Sequence, residues 1–597
     1  MRLELKRRIL AGCVAGLIMT GVMMTGVAMA QNRQAQSEQA KQTFLRASDA
    51  YFDEVYFPFQ PTNGTLAGYH QYDVKLEDFS AANRAAEIAA LHRAKQQVTA
   101  IAPAGLDQPT RADRELVLAS IASRLLTLET IRPWQKDADA YSSTISNGVF
   151  SLMERNFASP DERLRSVVER EKQSLALLGQ ARVNLTDAPR VYTEIAIEQL
   201  PGIVSFFEHD VPAAFAGAQD ATVRAEFAQS NAALIAALEQ YEQWLKTDLL
   251  PRSNGDFRWG AETFRRKLAY DEMVDIPLPR LLAIGEADLR KNQAAFNKLA
   301  REVEPNKDPR AVLEELGADH PAPDQLLQSF RDTFNGLIGF IQQKHIVTIP
   351  SEVRPIVEET PPFMRATTFA SMDTPGPFEQ HATEAYFNVT LPDKSMTPEQ
   401  VESYMHSFNV GTIVSTAVHE AYPGHYVQFL WVPKAPSRVR KLLGASSNAE
   451  GWAHYCEQMM LDEGYGQPGA GAKTEREAKL LRLGQLQDAL LRDARFVVGI
   501  QMHTGSMTME QAIAFFQQEG YQSRETAMVE TKRGTSDGTY LYYTLGKLEI
   551  LKLRSDLMKK QGAAFSLEKF HDAFLSQGFP PIKIVREAML GDESPTL

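Results

Sequence analysis

Apolar residues recur at three- and four-residue spacing over most of this 597-residue chain, and that period restricts it to an architecture of packed helices. The stripe is plainest from Ala221 to Leu249, where Phe227, Leu234, Leu238, Tyr241 and Leu245 share a face. Helix-start chemistry agrees with it. Ser159-Pro-Asp-Glu162 is a capping box with Pro at the first helical position, Thr397-Pro-Glu-Gln400 is another, and Thr508-Met-Glu-Gln511 opens a further helix. Leu278 to Val303 predicts one more long helix, and Phe579-Pro-Pro581 sets off the last. Loops are expected at Tyr56-Phe-Pro-Phe-Gln-Pro61 and Ile101-Ala-Pro-Ala-Gly105.

The pattern changes between about Lys344 and Pro392. His345-Ile-Val-Thr-Ile-Pro350, Val353-Arg-Pro-Ile-Val357 and Ala385-Tyr-Phe-Asn-Val-Thr-Leu391 are β-branched and aromatic with prolines at their edges, and they predict short strands. The fold class is therefore mainly α with a small embedded sheet. Pro251-Arg-Ser-Asn-Gly255 is turn chemistry and the best boundary, dividing a helical region 31–255 from a region 256–597, with the halves expected to pack as one cleft-containing body.

Residues 1–30 read as an export signal. Arg2, Lys6, Arg7 and Arg8 precede an apolar run from Ile9 to Val27, and Ala28-Met29-Ala30 fits a small-x-small cleavage site. A retained membrane anchor and a lipoprotein box at Leu10-Ala-Gly-Cys13 are the competing readings; the box stands before its apolar run instead of after it. A chain cleaved at Ala30 keeps one cysteine, Cys456, so no internal disulfide can form, and a bacterial periplasm suits such a protein. The net charge of −12 argues against nucleic acid or an anionic membrane surface as partner.

The chemistry concentrates in His419-Glu420-Ala421-Tyr422-Pro423-Gly424-His425. Helical zinc hydrolases take two His from one helix plus a third protein ligand, and an adjacent Glu draws a proton from the water that the metal acidifies. The usual spacing is His-Glu-x-x-His, because residues four apart share a helical face. Here two further residues intervene, and six positions at about 100° each put His425 about 240° round from His419 on a regular helix. Pro423 removes a helical hydrogen bond and Gly424 permits unusual dihedrals, so a bulge or kink is expected to return His425 to His419. Glu450, in Ala449-Glu-Gly-Trp-Ala-His-Tyr-Cys-Glu457, leads as third ligand. His454 and Glu457 lie four and seven residues further on, on the same face, where they can hydrogen-bond the free side of a ligand.

His419 to His425 followed by Glu450-Gly-Trp-Ala-His-Tyr455 resembles the hallmark of the bacterial domain of unknown function 885 family, His-Glu-Ala-x-Pro-Gly-His with Glu-Gly-Trp-Ala-x-Tyr. The resemblance spans most of the mature chain and is specific in its C-terminal half. It implies a large multi-helix, gluzincin-like metallopeptidase with the small sheet beside the zinc helix, Zn2+ on His419, His425 and Glu450, and Glu420 as general base. Arg495 to His503 keeps that family's Arg and His but lacks its Asp and Gly; Asp537 to Gly546 keeps Tyr543 and Gly546 but lacks its Pro and Gln; Tyr426 stands where a second His often follows. The same resemblance brings Tyr543 and His503 near the zinc as oxyanion donors. Arg533, Lys532 and Arg495 are candidates to hold a peptide carboxylate, and the strand 385–391 is a candidate edge for a peptide backbone.

The expected function is an exported zinc peptidase acting on short or unfolded peptides. A zinc amidohydrolase on a non-peptide or N-acyl amide, or a catalytically silent helical binding protein, are the alternatives. No membrane contact is expected once the signal is removed.

Overall fold

The computed structural model describes residues 34–365 and 368–597. The expected export signal, its expected cleavage site and the Cys13 box lie outside the described residues. The capping boxes close as their chemistry requires. Ser159 Oγ accepts from the Glu162 amide while the Glu162 carboxylate accepts from the Ser159 amide, opening helix Pro160–Asn184. Thr397 and Thr508 do the same for Pro398–Met405 and Met509–Gln518. Each box satisfies two amides that a helix start leaves without partners.

The segment 56–61 is helical instead of a loop. A π-turn at Phe52–Tyr56 runs into Phe57–Phe59 and then Pro61–Ala67, with Pro58 and Pro61 in first turns, where a missing amide proton costs nothing. Two apolar cores fill the N-terminal region. One gathers Phe206, Phe207, Leu234, Leu238 and Tyr241. The other gathers Phe44, Phe52, Leu91, Val117 and Ile121, and it also takes Val439, Leu443 and Ile584 from the C-terminal region. A buried ion pair between Arg440 and Asp113 and a hydrogen bond from Tyr192 Oη to the Thr535 carbonyl (2.6 Å) also cross the turn at 251–255.

Six helices carry the C-terminal chemistry: α1 Val410–Glu420, α2 His425–Trp431, α3 Ser446–Asp462, α4 Glu475–His503, α5 Arg524–Ser536 and α6 Tyr542–Gln561. Glycines set two of their crossings. A Cβ on Gly546 would stand 1.8 Å from the Ser447 carbonyl oxygen and one on Gly451 2.5 Å from Gly546 Cα, so α3 and α6 touch backbone to backbone. Gly411 and Gly484 do the same for α1 and α4.

The embedded sheet has strands β1 Ile356–Glu359, β2 Ala370–Asp373 and β3 Tyr386–Val389, in the order β1-β3-β2, with β1 parallel and β2 antiparallel to β3. Two expectations are corrected here. The strand within 385–391 is the central one, paired on both sides, so it offers no edge; β2, whose Ala-Ser-Met-Asp has little strand propensity, is the edge facing the cavity described below. Residues 345–350 form no strand, because their backbone is engaged by side chains. The Asp572 carboxylate accepts from the Thr348 amide (2.9 Å), Trp431 Nε1 donates to the Thr348 carbonyl (3.0 Å), and His571 Nδ1 lies 2.7 Å from the Ile346 carbonyl.

His571 has a measurable consequence. With Nδ1–H given to Ile346 and Nε2 2.9 Å from Tyr455 Oη, the neutral ring is fully satisfied, and burial pushes its pKa down to about 3. An unfolded chain takes up this proton below about 6.5 while the fold refuses it, so the contribution is complete above that pH and is lost as pH falls toward 3. In urea unfolding, the stability gap between wild type and His571→Asn is expected to narrow below pH 6.5 by about 1.4 kcal/mol per unit. Parallel pH profiles would mean that His571 is charged in the fold.

Candidate metal centre

Helix α1 stops at Glu420. The Ala421 and Tyr422 amides both donate to the Ala417 carbonyl (3.0 and 3.1 Å), the Tyr422–Pro423 peptide is cis, and the Gly424 amide donates back to Val418 (3.0 Å) before α2 starts at His425. A Cβ on Gly424 would lie 1.7 Å from the His419 carbonyl oxygen, so only glycine lets the turn fold this closely onto α1. The expected bulge or kink within one helix is thus corrected: the helix ends, and His425 enters on a new one. The two extra residues are absorbed all the same, and the His419 and His425 rings stand 4.9 Å apart at 87°.

Glu450, on α3, joins them. Its Oε2 is 3.3 Å from His419 Nε2 and 3.2 Å from His425 Nε2, and one ligand atom from each of the three lies within 4.8 Å of the others. Ligands at about 2.0–2.1 Å from a tetrahedral zinc are about 3.3–3.4 Å apart, so the two Glu450–His separations fit that ion, as does the chemistry of the donor set. Burial would raise the Glu450 carboxyl, but the two imidazoles outweigh it and hold it well below the usual range. Burial likewise opposes charge on His419, yet the Glu450 and Glu457 carboxylates raise it to about 9, so a cation here competes with a proton.

Glu457 stands behind the triad. Its Oε1 lies 2.6 Å from His419 Nδ1 and 3.0 Å from an Arg492 nitrogen, and its Oε2 3.1 Å from His454 Nδ1. Accepting from Nδ1–H leaves His419 Nε2 as the ligand nitrogen. Glu457→Gln is therefore expected to weaken metal affinity by about 10–100-fold, read by competition against a chelator, with secondary structure retained. Unchanged affinity would show that this contact does not orient the ring. His454 is fully buried on the far side of Glu457, away from the triad's ligand atoms, and burial lowers it to about 3.

The triad lies in the wall of a cavity of about 1080 Å³ lined from both regions, including Asp137 and Tyr192, and Ser371 and Met372 of β2. Glu420 lines it too; it is 8% exposed, and among the described residues no hydrogen bond or ion pair engages its carboxylate. Tyr543, on α6, stacks at 6.3 Å on His419, and its hydroxyl accepts from Arg533 (3.0 Å). Arg492, Arg495 and Arg533 surround its ring at 4.8–5.8 Å. Arg495 gives both arms of its guanidinium to Glu530 (2.6 and 2.7 Å), and Lys532, at the same wall, pairs with Glu198 (2.6 Å).

His503 is a correction. It ends α4 away from the cavity, packed at 4.7 Å on Trp259, with Nε2 donating to the Gly534 carbonyl (2.8 Å) and burial lowering it to about 4. It has no free donor to offer an oxyanion. Arg492, which the sequence reading passed over, sits one turn before Arg495 on α4 and reaches Glu457; that i, i+3 spacing was the available signal. Glu530 gave none, since its partner is 35 residues away.

A family model described as bacterial protein of unknown function (DUF885) matches residues 61–589. No curated protein matches the chain. Among the solved structures that resemble it, two are each described as a "putative lipoprotein". The one from Shewanella oneidensis, of unknown function, is 28% identical with a TM-score of 0.74, covering 92% of this chain and 99% of that one. The one from Colwellia psychrerythraea is 17% identical with a TM-score of 0.71, covering 93% and 99%, a likeness of fold alone.

Proposed function

We propose that this chain, which belongs to the DUF885 family of bacterial proteins, is an exported zinc-dependent peptidase of the gluzincin kind that hydrolyses short or unfolded peptides in its cavity. The observation that carries the reading is the convergence of His419 and His425 on Glu450, each at the edge length of a zinc tetrahedron, with the unpaired Glu420 on the same cavity wall. Zinc held by these three residues supplies Lewis acidity toward a carbonyl and makes water more acidic. Glu420 accepts the proton of the attacking water, a task for which a carboxylate without a standing partner is free.

Tyr543 supports the opposite side of the reaction. Its oxygen accepts from Arg533, which leaves its own O–H to donate into the cavity, and burial, opposed by Arg533, raises its pKa and keeps that proton on at neutral pH. That donor suits a developing oxyanion. Arg533 carries the positive charge nearest to Tyr543 Oη and is the better anchor for a peptide carboxylate; Arg495 is committed to Glu530. The edge strand β2 can pair with an extended peptide backbone.

Export rests on the charged and apolar N-terminus together with the lipoprotein descriptions of the two similar structures. No described helix is long and apolar enough to cross a membrane. The mass of the mature N-terminus separates cleavage after Ala30 from acylation at Cys13. The peptidase reading is tested by incubating zinc-loaded protein with a mixed peptide pool and identifying products by mass. Cleavage that stops with a chelator and returns with zinc is expected. An inert zinc-loaded protein that turns over N-acyl amides would make it an amidohydrolase, and one inert toward both a binding protein.

A further inference from the structure

We propose that His320, Glu402 and His406 form a second cation site, for a transition metal such as Zn2+, at the rim of the same cavity. The inference rests on these residues alone and not on the peptidase reading. Glu402 and His406 are four apart where helix Pro398–Met405 runs into the 3-10 turn His406–Phe408, so they share a face. His320 comes to them from the segment after helix Ala311–Ala318. One oxygen, Glu402 Oε1, lies 3.3 Å from His320 Nε2 and 3.6 Å from His406 Nε2, and the three ligand atoms fall within 4.8 Å of one another. The first separation equals the edge of about 3.3–3.4 Å expected around a tetrahedral zinc and the second is a few tenths of an ångström longer, a gap that a small rotation of the exposed His406 side chain closes.

The tautomer of His320 sharpens the case. Its Nδ1 lies 2.8 Å from the Pro321 carbonyl, an acceptor only, so the ring proton is on Nδ1 and the Nε2 lone pair is directed at Glu402. A carboxylate oxygen and an imidazole lone pair at 3.3 Å repel unless a cation stands between them. A second proton on His320 would relieve that contact as well, with the half-exposed His406 ring left to solvent, and metal titration separates the two cases. A metal uses all three donors, and imidazole with carboxylate suits zinc, cobalt and nickel.

The surroundings hold the ligands in place. His406 packs directly on Gly317, where an added Cβ would stand 3.0 Å from its ring, and the Val410 amide donates to the Asp319 carbonyl (3.2 Å). The rim site thereby joins the 311–320 segment to the first residue of α1, the helix that carries His419. His406 and Gly317 also face the cavity. Glu402 and His406 side chains are 62% and 39% exposed, against 6% and 11% for His419 and His425, so the rim ion exchanges more freely.

The test is calorimetric titration of metal-stripped full-length protein with Zn2+, repeated with Co2+ to read visible absorption. Wild type is expected to bind two equivalents, the second at least tenfold more weakly. Glu402→Gln, at an exposed position that threatens no core, and His406→Ala should each lose the weak equivalent and keep the tight one. His425→Ala should do the reverse. An anomalous zinc peak between His320 and His406 in a crystal would corroborate the assignment. The proposal is overturned if no equivalent bound by wild type is lost in Glu402→Gln and His406→Ala, and the doubly protonated His320 then explains the geometry; a single ion lost in the rim variants and kept in His425→Ala would instead count against the triad.

Discussion

Glu420→Gln is expected to lower peptide turnover by about 10²–10⁴, or about 3–5 kcal/mol of barrier, without weakening metal binding. The amide keeps the shape of the carboxylate but cannot accept a proton. Because no described residue pairs with Glu420, the substitution breaks no ion pair and leaves His419, His425 and Glu450 as they are. Glu420 lines the cavity and the substitution removes no partner, so the variant should unfold at about the same denaturant concentration as wild type. Lost turnover with retained metal and undiminished stability is a combination that a merely structural Glu420 would not give. Equal turnover in the two proteins would remove the peptidase mechanism.

Gly424→Ala should be as damaging by a different route. The new methyl group would meet the His419 carbonyl at 1.7 Å and the Val418 carbonyl at 2.4 Å, and both are backbone atoms that cannot rotate aside. Relief requires the turn to lift off α1, which carries His425 away from His419. Overpacking of this kind costs about 1–3 kcal/mol or more; here the larger effect is expected in metal affinity, falling by at least about 100-fold as one of three ligands is lost. Gly339→Ala is the control. It is exposed inside helix Leu326–Lys344 with nothing within 4 Å of its added Cβ, and it should gain up to about 1 kcal/mol. A Gly424→Ala protein that binds zinc normally would show that the close turn is not what joins the two histidines.

Much of the fold was legible because its signals are local. A capping box needs only four residues, and all three boxes closed; Leu278–Val303 and the change of character after Lys344 are equally short-range readings. What failed depended on distant partners. Strand character at 345–350 gave way to Asp572, Trp431 and His571, between 83 and 225 residues away, while β2 is a strand only because β3 lies beside it. The site divides the same way. Helical angles alone showed that His419 and His425 could not share a regular helix, which made the Pro423-Gly424 turn the point to inspect. Nothing local could reveal that His503 faces Trp259 and Gly534 instead of the cavity, or that Arg495 is already held by Glu530.

The Arg440–Asp113 pair has a practical bearing on how this protein can be divided. The side chains are 2% and 9% exposed, and the pair ties the short helix Arg438–Leu442, between α2 and α3, to a helix more than three hundred residues earlier. A fragment beginning after the turn at 251–255 would keep the guanidinium but lose its carboxylate, and stranding one partner of a buried pair costs about 3–5 kcal/mol. It would also bare Val439, Leu443 and Ile584, which the N-terminal core now covers. His419, His425 and Glu450 all lie after residue 418, yet the shortest piece of chain able to present them has to retain the N-terminal helices that cover Val439, Leu443 and Ile584.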